Sequence, residues 1–122
     1  MNKLSAFLVI LWWAVTITIG FIVVPLLFKL LPSPALAGNT AAIFFKLVNY
    51  LTIFIAAMLL LLKLSQNKTE SAILVIAIIS AAFSEFIAGP NIIARNNLAL
   101  WHGLASLAYV VMALSACYWL YK

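Results

Sequence analysis

Residues 4–28, LSAFLVILWWAVTITIGFIVVPLLF, contain no charged residue and lie between Lys3 and Lys29. A helix crosses the ~30 Å hydrocarbon core of a bilayer with about 20 apolar residues, so this run is long enough to span the core with some tilt. The sequence therefore predicts a first membrane helix over residues 4–30.

A secretory signal peptide is the alternative interpretation of this run, because Ala35-Leu36-Ala37 before Gly38 resembles a cleavage site. The apolar region of a signal peptide is only about 7–15 residues long and the cleavage site follows it closely. The run here is much longer, so we expect it to be retained as a membrane helix.

The rest of the chain has the same character. Of its 122 residues, 68% are hydrophobic and 7% are charged, whereas a soluble domain needs about 25% charged residues to cover its surface. That hydrophobic share is ~83 residues, which at ~20 residues a crossing gives about four spans. We therefore expect one all-α transmembrane domain over residues 1–122, a four-helix bundle of two hairpins in contact with lipid.

Three polar or proline-containing breaks place the other helices over residues 41–62, 71–93 and 98–121. The breaks are Leu31-Pro32-Ser33-Pro34, the hydrophilic residues 63–70 and the turn Arg95-Asn96-Asn97. Prolines lack the backbone donor that continues a helix. Thr69 or Ser71 is expected to cap the third helix, since short hydroxyl side chains favour that position.

The cations indicate the orientation. Four spans bring both termini to one side, together with Lys3, Lys63, Lys68 and Lys122, and leave Lys29 and Arg95 opposite. The excess favours cytoplasmic termini. Although the net charge is +5, the cations are scattered singly along the chain, so we expect no nucleic-acid partner.

Two proline segments resemble each other. Residues 21–25 end in Pro25 and residues 86–90 end in Pro90, and each is followed by a cation, Lys29 or Arg95. Each proline is expected to kink its helix. The similarity predicts that the two hairpins are a parallel repeat.

Polar residues inside the spans are the main functional signal, because an ionisable group at the centre of a membrane helix costs ~2.5–3.5 kcal/mol. At ~1.5 Å per residue, Lys46 lies ~8 Å, Asn49 ~12 Å, Glu85 ~12 Å and His102 ~6 Å from the predicted helix ends. All four fall in the half of the membrane opposite the termini.

One interpretation of these residues is a polar pocket or proton-coupled pathway formed by Glu85, Lys46, His102, Asn49, Arg95, Tyr109 and Ser106. The other is that Glu85 pairs with Lys46 or Arg95, and that His102 bonds to a serine or carbonyl, so that these contacts only hold the helices together. The chain contains one cysteine, Cys117, and one histidine, too few for a structural zinc site. We expect no metal and no cofactor.

The end of the third predicted helix reads Pro90-Asn91-Ile92-Ile93-Ala94-Arg95, and the start of the fourth reads Trp101-His102-Gly103-Leu104-Ala105-Ser106. Together with Gly20, Pro25-Leu26-Leu27-Phe28 and Ala37-Gly38, these stretches resemble the bacterial domain-of-unknown-function family 4149. That family is itself similar to the eukaryotic transmembrane protein 205 group. The resemblance implies four helices in the bacterial inner membrane and no settled activity. Its signature positions here are Pro25, Phe28, Pro90, Arg95, His102 and Ser106.

A looser likeness runs to copper-resistance membrane proteins of the D type, which need several His or Met ligands. The corresponding candidates here are scattered over different levels, namely Met1, Met58, Met112, His102 and Cys117. This distribution disfavours copper.

Three functions remain open. The first is a small carrier or channel component, acting on a solute, ion or lipid, in which Glu85 takes up a proton or cation and a homo-oligomer builds the pathway. The second is a non-catalytic scaffold or accessory subunit of a larger membrane complex. The third, an enzyme with Glu85 and His102 as an acid–base pair, is disfavoured because nothing in their spacing demands it.

Overall fold

Four long helices make up the structure, a computed structural model that describes residues 2–62 and 64–122. They are α1 (Lys3–Leu30), α2 (Pro34–Leu61), α3 (Lys68–Ile93) and α4 (Leu98–Tyr121), each long and apolar enough to cross a membrane. The all-α class and the four spans predicted from the sequence are confirmed. Lys63 and Met1, which entered the predictions on orientation and on copper, lie outside the described residues.

The helices form a closed ring. Each packs against the next one along the chain, and α4 returns to pack against α1. The connections are short, at residues 31–33, 62–67 and 94–97, so neighbouring helices are antiparallel. We call the side that carries both chain ends and residues 62–67 the terminus side, and the opposite one the turn side.

The second helix begins earlier than the sequence predicted, at Pro34 rather than at residue 41. Ser33 is its N-cap, and the Ser33 hydroxyl oxygen accepts a hydrogen bond from the Leu36 amide at 3.1 Å. Proline is tolerated in the first turn because its missing N–H would have no helical acceptor there. The proline-containing break predicted from the sequence therefore also contains the start of the next helix, at Pro34.

The start of α3 also differs from the prediction. The helix begins at Lys68, and its N-cap is Asn67, whose Oδ1 accepts from the Glu70 amide at 2.9 Å. Thr69 and Ser71, the predicted caps, lie inside the helix. Ser71 instead shares a 2.7 Å hydrogen bond with Ser65 of the preceding connection. The asparagine side chain caps as well as a hydroxyl does.

The large buried side chains lie on the terminus side. All four helices contribute to one core cluster there: Leu8, Val9, Trp12, Ile55, Ala56, Leu59, Leu74, Ala77, Ala116 and Trp119. The Trp12 indole Nε1 donates to the Thr52 hydroxyl at 3.0 Å within this core. A buried indole that finds a polar partner ties α1 to α2 without leaving its N–H unsatisfied.

An ion pair closes the same side. The Lys122 ammonium contacts the Glu70 carboxylate, and the two side chains are only 20% and 5% exposed. The ammonium also lies 4.4 Å from the ring centroid of Trp119, a cation–π arrangement. The Gln66 amide donates to the second carboxylate oxygen at 2.6 Å. These contacts bind the end of α4 to the start of α3.

The turn side is more open. Residues 93–100 are all exposed, and the residues buried toward this end are mainly small, such as Ala37, Ala41 and Ala88. The bundle is thus sealed by aromatic packing and an ion pair at one end and loosely filled at the other.

Helices α1 and α3 repeat each other in detail. Each contains one π-helical turn, Ile19–Val23 in α1 and Ser84–Ala88 in α3, and each turn ends two residues before a proline. The same 65 positions separate Pro25 from Pro90 and the N-cap Asn2 from the N-cap Asn67. The shared cap, π-helical turn and proline support the parallel repeat predicted from the sequence.

The π-helical turn explains how both helices accept a proline inside the membrane. In each one an amide bonds five residues back, Val24 to the Ile19 carbonyl and Gly89 to the Ser84 carbonyl. The widened turn lets the helix restart just before the proline, which then occupies a first-turn position where no donor is needed. At Pro25 and Pro90, where the sequence predicts kinks, each helix thus contains a π-helical turn just before the proline.

We predict that Lys122→Met lowers the free energy of unfolding by about 2–3 kcal/mol, because Glu70 would then be buried without its counter-charge. Reversible unfolding in mixed detergent micelles measures the effect. Lys68→Met is the matched control, since Lys68 is exposed on the same side. The double variant Glu70→Gln with Lys122→Met should recover most of the loss. Equal stability of Lys122→Met and Lys68→Met would contradict the prediction.

Candidate functional site

The central contact of the candidate site joins α2 to α3. Lys46 Nζ lies 4.0 Å from Glu85 Oε2, and the two side chains are 64% and 13% exposed. The carboxylate is therefore largely shielded while its partner reaches in from the surface of the bundle. A distance of 4.0 Å is long for a charge-assisted hydrogen bond, which is typically about 2.7–2.9 Å. The pair is a loose one.

Lys46 lies deeper along α2 than the sequence predicted. Because α2 begins at Pro34, Lys46 is ~18 Å from the start of the helix rather than ~8 Å. The whole helix has 28 residues, more than the roughly 20 that a bilayer core requires. The ammonium thus lies well inside the span, level with Glu85.

Asn49 follows Lys46 by three residues, so the two side chains lie on one side of α2. Asn49 is buried, with 3% of its surface exposed, and its Oδ1 has no hydrogen-bond partner among the described residues. Such an acceptor costs ~1–3 kcal/mol when it is left unsatisfied. We call Lys46, Asn49 and Glu85 the Glu85 cluster.

The π-helical turn of α3 holds Glu85. Glu85 is the second residue of that turn, and π-helical turns inside α-helices are frequent at functional sites. The Ser84 hydroxyl next to it is also buried without a partner in the described part of the chain. Polar side chains that sequence reasoning did not single out, Ser84 among them, therefore lie at this turn.

Tyr109 belongs to a different part of the bundle from the one predicted. Its hydroxyl donates to the Thr16 carbonyl on α1 at 2.6 Å, and its ring makes edge-to-face contacts with Phe21 and Phe45. The ring fits over Gly20, where an added Cβ would lie 2.7 Å from the Tyr109 Cζ. Tyr109 thus fills the π-helical turn of α1, while Glu85 contacts Lys46 at the corresponding turn of α3.

The remaining predicted site residues lie apart from the cluster. His102 and Ser106 are exposed on α4, and the Ser106 hydroxyl donates to the His102 carbonyl at 2.8 Å. Arg95 is exposed in the α3–α4 turn, where its φ of 58° is left-handed. The structure therefore brings together Lys46 and Glu85, places Asn49 one turn from Lys46 on α2, and leaves the other three at the turn-side surface.

Sequence reasoning missed the second carboxylate. Glu70 is buried, yet its segment was predicted to be a hydrophilic loop. One signal was present in the sequence: the chain has only two acidic residues, and an asparagine three residues before Glu70 is typical of a capped helix start.

Four apolar helices around a small polar cluster define a polytopic α-helical membrane protein. The chain belongs to the family described as the domain of unknown function DUF4149, whose profile matches residues 7–99. The match covers the Glu85 cluster and the two prolines that follow π-helical turns, Pro25 and Pro90. It ends before His102, Ser106 and Tyr109. No curated protein and no solved structure matches the chain.

We predict that Gly20→Ala lowers the free energy of unfolding by ~1–3 kcal/mol, because the added methyl group displaces the Tyr109 ring. Unfolding in mixed micelles again measures the change. Gly103→Ala is the matched control, since a Cβ there meets no atom within 4 Å; we expect no loss from it, or a gain of up to ~1 kcal/mol.

The loss caused by Gly20→Ala should largely disappear in a Tyr109→Leu background, since contacting residues are energetically coupled. An equal loss in the wild-type and Tyr109→Leu backgrounds would contradict the prediction, because the loss would then not come from contact with the Tyr109 ring.

Proposed function

We propose that this protein is a small cation-handling component of the membrane, in which the Glu85 carboxylate takes up a proton or small cation. The observation that carries the proposal is the loose Lys46–Glu85 pair, with a shielded carboxylate at 4.0 Å from a largely exposed ammonium. The Glu70–Lys122 pair at the terminus side of the bundle is, by contrast, close and mutually buried.

The comparison of the two pairs gives the proposal its physical basis. Both carboxylates lie on α3, and each meets a lysine from another helix. Glu70 receives a lysine and a backbone amide, so all its charge is compensated by tight contacts. Glu85 has only Lys46, at 4.0 Å, as a partner among the described residues. A cation that approaches the carboxylate therefore has to displace only this loosely held ammonium.

Access to Glu85 is better from one side than from the other. The core cluster and the Glu70–Lys122 pair close the terminus side, whereas residues 93–100 are exposed on the turn side. More lysines are described on the terminus side (Lys3, Lys68 and Lys122) than cations on the turn side (Lys29 and Arg95), which favours cytoplasmic termini. We infer that Glu85 communicates with the non-cytoplasmic side of a bacterial inner membrane.

A homo-oligomer completes the pathway in this proposal. Lys46 is 64% exposed at the surface of a single bundle, where it would otherwise face lipid, and a charge facing hydrocarbon is costly. A second copy of the chain that covers this part of α2 would enclose the ammonium.

Liposomes that contain the purified protein and an entrapped pH-sensitive dye test the proposal. After an external acid pulse, we expect the wild type to admit protons faster than empty liposomes. Glu85→Gln should return the rate to that of empty liposomes, because the amide cannot accept a proton at these pH values. Lithium, sodium and potassium gradients are measured in parallel.

Ser106→Ala is the control for this experiment, since Ser106 is exposed on α4 and lies outside the cluster. It should transport as the wild type does. Equal insertion of all variants is checked by protease protection. A Glu85→Gln protein that inserts normally and admits protons at the wild-type rate would overturn the proposal, as would a wild type indistinguishable from empty liposomes.

Native mass spectrometry from mild detergent tests the scaffold alternative. A homo-oligomer without foreign chains supports the proposed function. A different membrane protein bound at fixed stoichiometry would instead favour the accessory-subunit interpretation.

A further inference from the structure

Asn49 is one of four residues with a buried side-chain polar atom that has no partner among the described residues, together with Thr16, Ser84 and Trp119. Its Oδ1 is an acceptor without a partner among the described residues, and the residue is 3% exposed. Asparagine in the interior of a membrane bundle normally bonds across helices. An acceptor that is not satisfied by the protein calls for a donor or a cation.

Asn49 lies on α2 about one helical turn from the level of Glu85. Asn49 is one turn from Lys46 on the same side of α2, and Lys46 extends to Glu85. In the antiparallel α2–α3 pair, one turn further along α2 corresponds to one turn back along α3 from Glu85. That level of α3 carries Ala81, which is fully buried and small enough to let the two helices approach.

The available atoms suit a hard cation. A carboxylate and a side-chain amide carbonyl are oxygen ligands of the kind that hard metal ions prefer.

Charge balance sets the valence of the cation. Glu85 provides one negative charge, and the only other acidic residue of the chain, Glu70, is engaged with Lys122. A monovalent ion that takes the place of the Lys46 ammonium beside Glu85 leaves the carboxylate neutralised, whereas a divalent ion would add an uncompensated positive charge, which is costly within a bilayer.

We propose that Glu85 and the Asn49 amide oxygen bind one monovalent metal cation of the sodium class, and that the Lys46 ammonium is a tethered competitor for it. The proposal rests on the proposed function and specifies its ligand. When the cation is absent, the ammonium lies near the carboxylate; when the cation binds, the lysine side chain moves away from the carboxylate.

Thermal unfolding of the detergent-purified full chain tests this site, because a ligand that binds only the folded state stabilises it in proportion to its affinity. Sodium chloride is titrated against choline chloride at constant ionic strength, and lithium and potassium chloride are run beside it. We expect sodium to stabilise the wild type, and the gain to disappear in Glu85→Gln.

Two variants separate this proposal from simple salt effects. Lys46→Met removes the competitor and should raise the apparent sodium affinity about tenfold, while Asn49→Leu removes the amide ligand and should lower it about tenfold, each equal to ~1.4 kcal/mol. Asn39→Leu is the matched control, since Asn39 is exposed on the same helix; its sodium affinity should equal that of the wild type. If Asn49→Leu fails to accumulate, Asn49→Ala removes the same oxygen without added bulk.

The outcomes distinguish the two proposals. If sodium stabilises neither the wild type nor Lys46→Met, or if Asn49→Leu binds sodium as the wild type does, the sodium site is wrong. Proton uptake that still depends on Glu85 would in that case leave the proposed function standing. Sodium stabilisation that persists in Glu85→Gln would place the ion elsewhere and overturn the sodium site, while the liposome assay decides the proposed function separately.

Discussion

The hydrocarbon interior of a bilayer offers no hydrogen-bond partner, so each backbone amide and carbonyl must be satisfied within its own helix. This constraint explains the four uninterrupted spans and their short connections. It also explains why the two prolines inside the membrane are each preceded by a π-helical turn, at Ile19–Val23 and at Ser84–Ala88. The proline then falls where the restarted helix requires no donor.

The same constraint applies to side chains and makes the two carboxylates informative. Glu70 is at the end of its helix, with Lys122, Trp119 and the Gln66 amide around it. Glu85 lies within the span, with one distant lysine. Two carboxylates in such different surroundings indicate different roles. A carboxylate with several close partners stabilises the fold, and one that lacks them is available to exchange its partner.

The sequence predicted the architecture well because hydropathy and charge report directly on the solvent. It also predicts that Lys46, Asn49, Glu85 and His102 fall in one half of the membrane, because distances from helix ends are simple to count. The sequence is ambiguous where a local signal has two meanings. Pro34 ends one helical run but also begins the next helix, so the sequence underestimates the depth of Lys46. Tyr109 was assigned to the wrong neighbours, because helical phase gives a face but not the helix that packs against it.

The similarity between the two hairpins explains why Tyr109 contacts α1. Gly20 and Glu85 are both the second residue of a π-helical turn, one in α1 and one in α3. In a parallel repeat, the contact of α4 with α1 corresponds to the contact of α2 with α3. Tyr109 from α4 meets the glycine turn, and Lys46 from α2 meets the glutamate turn. The first arrangement is a rigid ring fitted against backbone and held by a hydrogen bond to the Thr16 carbonyl. The second is a flexible, exposed side chain opposite a charge.

The equivalent second positions of the two π-helical turns thus carry different residues, Gly20 in α1 and Glu85 in α3. Glycine admits an aromatic ring, so the contact between α1 and α4 is closely packed and has no charge to exchange. Glutamate excludes such packing and keeps a charge in the membrane whose partner is only loosely held. In the proposed function, the closely packed contact between α1 and α4 is a fixed frame, and the contact between α2 and α3 holds the carboxylate that exchanges its partner. The difference between the two contacts, more than either contact alone, supports the proposal that the turn side of this bundle binds a cation.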